Sequence, residues 1–213
     1  MSAAAYLLGS IPFGYLLVKT FRGQDIRLSG SGNIGATNVV RSGAKGLGVA
    51  TLTLDALKGL LAVWIAAAIA NSSYPACANG AACIPRARLM AFAALVAVLG
   101  HMFPMWLKFK GGKGVATAIG AFALLFPKSL LVVVVLFFVV VAFTRFISLG
   151  SILAALVFPL AASLVEHAPW QGLLFVSLIS TLIVVKHHQN IRRLLAGNEN
   201  RFGVKSTAPG ERS

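Results

Sequence analysis

The chain has 213 residues; 58% are hydrophobic, only 11% are charged, and the mean hydropathy is +0.85. A soluble domain is about a quarter charged, so the composition excludes a water-soluble globule and indicates an integral membrane protein. Nineteen Lys and Arg against five Asp and Glu give a formal charge of +14; these cations sit in short stretches between apolar runs, which suits the positive-inside bias, membrane lipid head groups or an anionic substrate and argues against nucleic acid.

The first apolar run, 3–18, has no cation before it and is followed by Lys19 and Arg22. It reads as a first helix with its N-terminus outside rather than as a cleavable signal. The next stretch, Gly30 to Arg41, is GSGNIGATNVVR. Its glycines let the backbone turn and a ligand approach. Ser31, Asn33, Thr37 and Asn38 add polar groups, and Arg41 adds a forked cation suited to phosphate. GSGNIG also fits the dinucleotide fingerprint, but that motif needs a strand before it and a βαβ unit around it. Both flanks here are apolar runs of membrane type, so only the local physics survives: small residues before a helix start, suited to an oxyanion.

The second run, 47–70, contains Asp55 and Lys58, three apart and so on one helix face. A charge at membrane depth must be paired or face a wet cavity. The pair is read as a neutralising contact that pins this helix to the bundle, in preference to a cavity wall. Cys77 and Cys83 share the following loop, and two readings stand: a disulfide if that loop faces an oxidising compartment, or two unpaired thiols.

After the run 89–107, the stretch Gly100 to Thr117 reads GHMFPMWLKFKGGKGVAT. Lys108, Lys110 and Lys113 surround Gly111, Gly112 and Gly114. The spacing is not that of a P-loop, but it suits an anion nest with lysines at its rim. His101 is read as a buried hydrogen-bonding residue with no catalytic role.

Runs at 114–126, 129–143, 146–165 and 168–185 complete the chain. A crossing takes about 20 residues, and the first two are short enough to be one helix kinked at Pro127-Lys128. Charge decides against that. Seven spans place the stretches 22–45, 108–113 and 186–205, with Arg145, on one side, and leave Arg86, Arg88 and Lys128 on the other. The expected architecture is a single all-α polytopic domain over 1–213: a seven-transmembrane-helix bundle, N-terminus outside, C-terminus cytoplasmic, with a tight turn at 127–128.

In the last stretch, Lys186 to Gly203, Ile191, Leu194 and Leu195 are spaced for an apolar helix face beside Arg192 and Arg193, as in an interfacial helix. His187 and Asn190, three apart, face the same way, towards the other two loops. Glu199 is placed to orient a cation. No His, Cys and carboxylate set has metal-ligand spacing, so neither metal nor cofactor is expected. None of the four histidines is followed five positions later by Asp, and there is no G-x-S-x-G elbow. An enzyme built this way works by positioning and electrostatics, without an obvious nucleophile and base.

Together, GSIPFGYLLVK (Gly9 to Lys19), the Gly30 to Arg41 stretch, DALKG (Asp55 to Gly59), the Gly100 to Thr117 stretch and KHHQNIRRLLAGNE (Lys186 to Glu199) closely resemble the bacterial acyl-phosphate:glycerol-3-phosphate acyltransferase family. The resemblance implies a multi-pass enzyme of the bacterial inner membrane with its site at the cytoplasmic face. It implies transfer of a fatty acyl group from acyl phosphate to the 1-hydroxyl of glycerol 3-phosphate, giving lysophosphatidic acid and inorganic phosphate in phospholipid biosynthesis. Carried over by motif, Ser31, Arg41 and Lys110 would hold the glycerol phosphate. Asn33, Thr37, Asn38 and the Gly111-Gly112-Lys113 turn would hold the acyl phosphate head. His187 and Asn190 would position the glycerol hydroxyls, with Glu199 beside them. The alternative is a transporter of an anionic phosphorylated solute, which would use the same loops but finds almost no charge in the outer half to guide one.

Overall fold

The structure, a computed structural model, describes residues 2–73 and 84–203. Cys77 and Cys83 lie outside the described residues. Every regular element among the described residues is helical.

Helices α1 (Ser2–Ser10) and α2 (Phe13–Arg22) make one apolar span of 21 residues. Pro12 breaks it, because proline lacks an N–H and disfavours helical backbone at Ile11 before it. Helix α2 stops at Gly23, whose φ of 67° and N–H to the Lys19 carbonyl form a left-handed cap. A short α3 (Ala36–Arg41) follows the glycine-rich loop and leads into the long α4 (Lys45–Ser73). Then come α5 (Ile84–Met102), α6 (Val115–Leu125), α7 (Pro127–Thr144), α8 (Ile147–Glu166), α9 (Trp170–Lys186) and α10 (His188–Leu195).

Five spans among the described residues are long and apolar enough to cross a membrane, and α9 with α10, bent by 54°, makes a sixth. Helix α6 is the exception to the expected count of full-length spans. Its 11 residues rise about 16 Å, against a hydrocarbon core of about 30 Å. Before α6, the turn 111–114 folds inwards against the end of α5. At Gly114, an added Cβ would meet the Met102 and Val98 side chains, so α6 begins below the end of α5.

In lipid, helices associate by close packing rather than by exclusion of water, so small residues mark the contacts. Here α4 and α6 touch backbone to backbone: a Cβ at Gly120 would lie 1.8 Å from the Ala56 carbonyl oxygen, and one at Gly59 would lie 2.0 Å from that of Thr117. Buried Ala62, Ala66, Ala94, Ala97 and Ala121 continue this packing, and Phe122 stacks on Phe158 at 4.1 Å. Trp64, Leu131, Phe138 and Phe143 point outwards, as a lipid-facing surface requires. Lys58 Nζ lies 2.7 Å from the Asp55 carboxylate and donates to the Ile11 carbonyl at 2.7 Å. The buried pair thus ties α4 to the break in the first span, the structural role read from its spacing.

The N–H and hydroxyl of Ser129 donate to Glu166, joining the start of α7 to the end of α8. At the other end of α7, the Phe202 N–H donates to the Arg145 carbonyl at 2.7 Å. Ser148 donates to Glu199, which also binds Asn190, the partner of Lys113. The start of α6 and the end of α7 therefore lie at one end of the bundle, and 126–127 is a hairpin turn rather than a kink.

Gly120→Ala should lower the melting temperature in detergent, since its methyl has no room against α4 and overpacking costs roughly 1–3 kcal/mol. Gly46→Ala, with no atom within 4 Å of the added carbon, should leave it unchanged or slightly raised.

Candidate active site

The first loop is folded around Asn38. Only 3% exposed, it donates Nδ2 towards the carbonyls of Ile26, Ser29 and Asn33 and accepts from the Ser31 N–H at 2.9 Å. Its amide is engaged by the backbone of its own loop, so it frames that loop. Asn33 Oδ1 accepts from the Gly35 N–H at 2.8 Å, a local turn that starts α3 and leaves its Nδ2 as the available donor. Thr37 is half-buried on the first turn of α3. Exposed Arg41, at the end of α3, donates to the Asn200 carbonyl at 3.2 Å.

The second stretch lies against the end of α5. The N–H groups of Gly111 and Gly112 donate to the carbonyls of Met102 and His101. The anion nest expected of these two amides is therefore not formed: helix-end carbonyls, which lack partners within their own helix, take them. Glycine is required for the fit, because a Cβ at Gly112 would lie 2.0 Å from His101 Nε2. The turn carries Lys113 inwards, where its ammonium donates to Asn190 Oδ1, while Lys108 and Lys110 remain exposed at the surface.

The third stretch supplies the carboxylate. His187, 3% exposed at the bend between α9 and α10, places Nδ1 2.7 Å from the Ile183 carbonyl. A carbonyl only accepts, so this contact puts the proton on Nδ1 and leaves Nε2 as an acceptor. Glu199 is 6% exposed and accepts from Ser148 Oγ at 2.8 Å, Asn190 Nδ2 at 2.7 Å and Arg193 Nε at 2.7 Å. Burial pushes its carboxyl up, but the hydrogen bonds from Arg193, Asn190 and Ser148 outweigh this and hold it below the usual range. Burial also lowers the Lys113 ammonium to about 8, with Glu199 opposing and the charges of Arg193 and Arg41 adding to the effect.

These parts enclose a cavity of about 140 Å³ lined by Ser31, Asn33, Gly111, Lys113, Lys186, His188, Gln189, Asn190 and Arg193. Ser31, Asn33, Gly111, Lys113 and Asn190 were expected from the motifs, and all three stretches contribute. Asn38, Gly112, His187 and Glu199 stand behind this lining, while Arg41, Thr37 and Lys110 are outside it. Lys186, Gln189 and Arg193 were not singled out. Arg193 had a signal, lying three residues after Asn190 on the same helix face; Ser148, in the first turn of α8, had none. Lys186 donates to the Met102 carbonyl at 3.1 Å and lies 4.4 Å from the Phe103 ring centre. Three cations thus border one small polar space and one carboxylate neutralises one of them, an arrangement suited to phosphate.

The glycerol-3-phosphate acyltransferase family model matches residues 1–197. The glycerol-3-phosphate acyltransferase of Nitrobacter winogradskyi is 48% identical over 204 residues, 96% of this chain and 95% of that protein. That of Trichlorobacter lovleyi is 46% identical over 200 residues, 94% and 95% of the two chains. The fold is similar to the crystal structure of PlsY, an integral membrane glycerol 3-phosphate acyltransferase, in its glycerol 3-phosphate form: the TM-score is 0.82 at 39% identity, covering 95% of this chain and 94% of that one. Its lysophosphatidic acid form gives a TM-score of 0.79 at 38% identity, covering 95% and 93%.

With burial lowering the Lys113 ammonium to about 8, anion binding should weaken as pH rises through that value. Sulfate is a suitable probe because its charge is constant over this range. The rise in melting temperature at fixed sulfate should shrink between pH about 7 and about 9 in the parent protein. It should stay level in Lys113→Arg, whose guanidinium does not titrate there.

Proposed function

Because the chain belongs to the glycerol-3-phosphate acyltransferase family, we propose that it transfers a fatty acyl group from acyl phosphate to the 1-hydroxyl of glycerol 3-phosphate. The products are lysophosphatidic acid and inorganic phosphate. The observation that carries this reading is the cavity itself: three distant stretches converge on one small space bordered by Lys113, Lys186 and Arg193. It suits phosphate heads and a glycerol unit, and the fatty tail stays among the helices.

Ser31, Asn33, Lys113 and Asn190, with Lys186 and Arg193, contact the two phosphate-bearing substrates; Lys113 holds the acyl phosphate head. Arg41 and Lys110 draw the anionic glycerol phosphate in from the surface, and Thr37 supports the first loop. His187 and Asn190 orient the glycerol. The hydroxyl oxygen attacks the acyl carbonyl carbon, the bond from that carbon to the bridging phosphate oxygen breaks, and the hydroxyl proton passes to the departing phosphate. The donor is a mixed anhydride and already activated, so the protein's part is alignment and stabilisation of charge.

We place this chemistry at the cytoplasmic face of a bacterial inner membrane, with seven crossings and the N-terminus outside. Helix α6 makes the fourth crossing, and the stretch 108–113 before it lies at the cytoplasmic face. In a background lacking Cys77 and Cys83, Lys128→Cys should react with an impermeant maleimide in cells whose outer membrane has been permeabilised, and Arg145→Cys only after lysis. The reverse pattern would invert the topology.

Purified protein given palmitoyl phosphate should release phosphate only when glycerol 3-phosphate is also present. Acyl-CoA should not replace the donor. Lys113→Ala should lower activity by roughly tenfold to a hundredfold, the equivalent of a lost charge-assisted contact of about 1.5–3 kcal/mol. Flux of glycerol 3-phosphate into proteoliposomes without acyl transfer is the result that would favour a transporter.

A further inference from the structure

We propose that Asp55, Lys58 and His101 form a buried positioning triad that sets where Lys113 stands in the cavity. The proposal rests on the reading of Lys113 as a phosphate contact. The three side chains come from α4 and α5, and each is at most 4% exposed. Lys58 Nζ is 2.7 Å from Asp55 Oδ1, and His101 Nδ1 is 3.6 Å from the same oxygen. The other side of the imidazole faces the turn: a Cβ on Gly112 would lie 2.0 Å from Nε2 and 2.8 Å from Cε1. The backbone of Gly112 therefore abuts the Nε2 edge of the ring, and its N–H donates to the carbonyl of the same histidine at 3.1 Å.

Lys113 is the next residue, so the height of the turn over His101 is the height at which the ammonium enters the site. The imidazole is in turn backed by Asp55, and Asp55 by Lys58, which is anchored on the Ile11 carbonyl. Charges buried this deeply are poor stabilisers compared with well-packed apolar side chains, and their better-attested use is to specify one arrangement. Here that arrangement includes the first span, α4, α5 and the turn that carries Lys113. None of the triad lines the cavity, so it acts through the turn and not on the substrate.

The test is a double-mutant cycle on purified protein in lipid, following phosphate release and melting temperature together. His101→Gln removes the ring under the turn. Gly112→Ala adds a methyl that pushes on the ring from the other side, and it serves if His101→Gln does not fold. Each should raise the KM for palmitoyl phosphate on the order of tenfold, as expected when a binding group is displaced by a fraction of its contact distance. Each should add little further loss in a Lys113→Ala background, because both act on the same contact. Losses that multiply with that of Lys113→Ala, or lowered melting temperatures with KM unchanged, would overturn the triad's role. If Lys113→Ala alone left KM unaltered, the phosphate assignment of Lys113 would fail first and visibly, and the triad's role would fall with it.

Discussion

The site depends on a single buried carboxylate. Glu199 comes from the segment after α10, yet it is held by a hydroxyl at the start of α8 and by an amide and a guanidinium on α10. An ionised carboxyl in such surroundings is tolerable only when hydrogen-bonded and paired. Ser148, Asn190 and Arg193 are therefore confined to positions that meet its two oxygens together. Asn190 has one further group, its carbonyl oxygen, and that receives Lys113. Satisfying one carboxylate thus sets the relation between the end of the chain, the α7–α8 turn and the loop before α6.

The same anion shapes the charge of the cavity. It pairs with Arg193 and, among the described residues, leaves Lys113 and Lys186 without a carboxylate of their own; these are held by an amide oxygen and a backbone carbonyl. Neutral acceptors stabilise an ammonium less than a carboxylate does, so both lysines keep much of their attraction for an incoming phosphate. Partial burial strengthens that attraction, because less water screens it. The acyl transfer proposed above, from an activated anhydride, would need little more than this. The absence of a nucleophile and base pair from the sequence agrees with a site that works through charge and alignment.

Depth is supplied by glycine. Contacts between α4 and α6 at Gly59 and Gly120, and between the Gly111-Gly112 turn and the end of α5, leave no space for a side chain. The first pair lets a helix of only 11 residues serve where longer ones surround it. The second allows a loop that composition alone would place at the surface to fold inwards over His101. Lys110 and Lys113 illustrate the result: they are three residues apart in one lysine-rich stretch, and only the second enters the cavity.

The sequence by itself determined the membrane class, the apolar runs, the three polar stretches and the pairing of Asp55 with Lys58, because hydropathy, motif spacing and helical periodicity are local properties. It also separated α6 from α7, since only a turn between them brings Arg145 to the side of the other cations. It did not reveal which polar groups were free to act. Asn38 and the amides of Gly111 and Gly112 have the chemistry of ligand groups, but neighbouring carbonyls already engage them. Ser148 carries no motif and holds Glu199. Lys186 enters the cavity because α9 ends beside α5. These outcomes belong to the tertiary structure, because a donor's availability depends on whether another part of the chain has taken it.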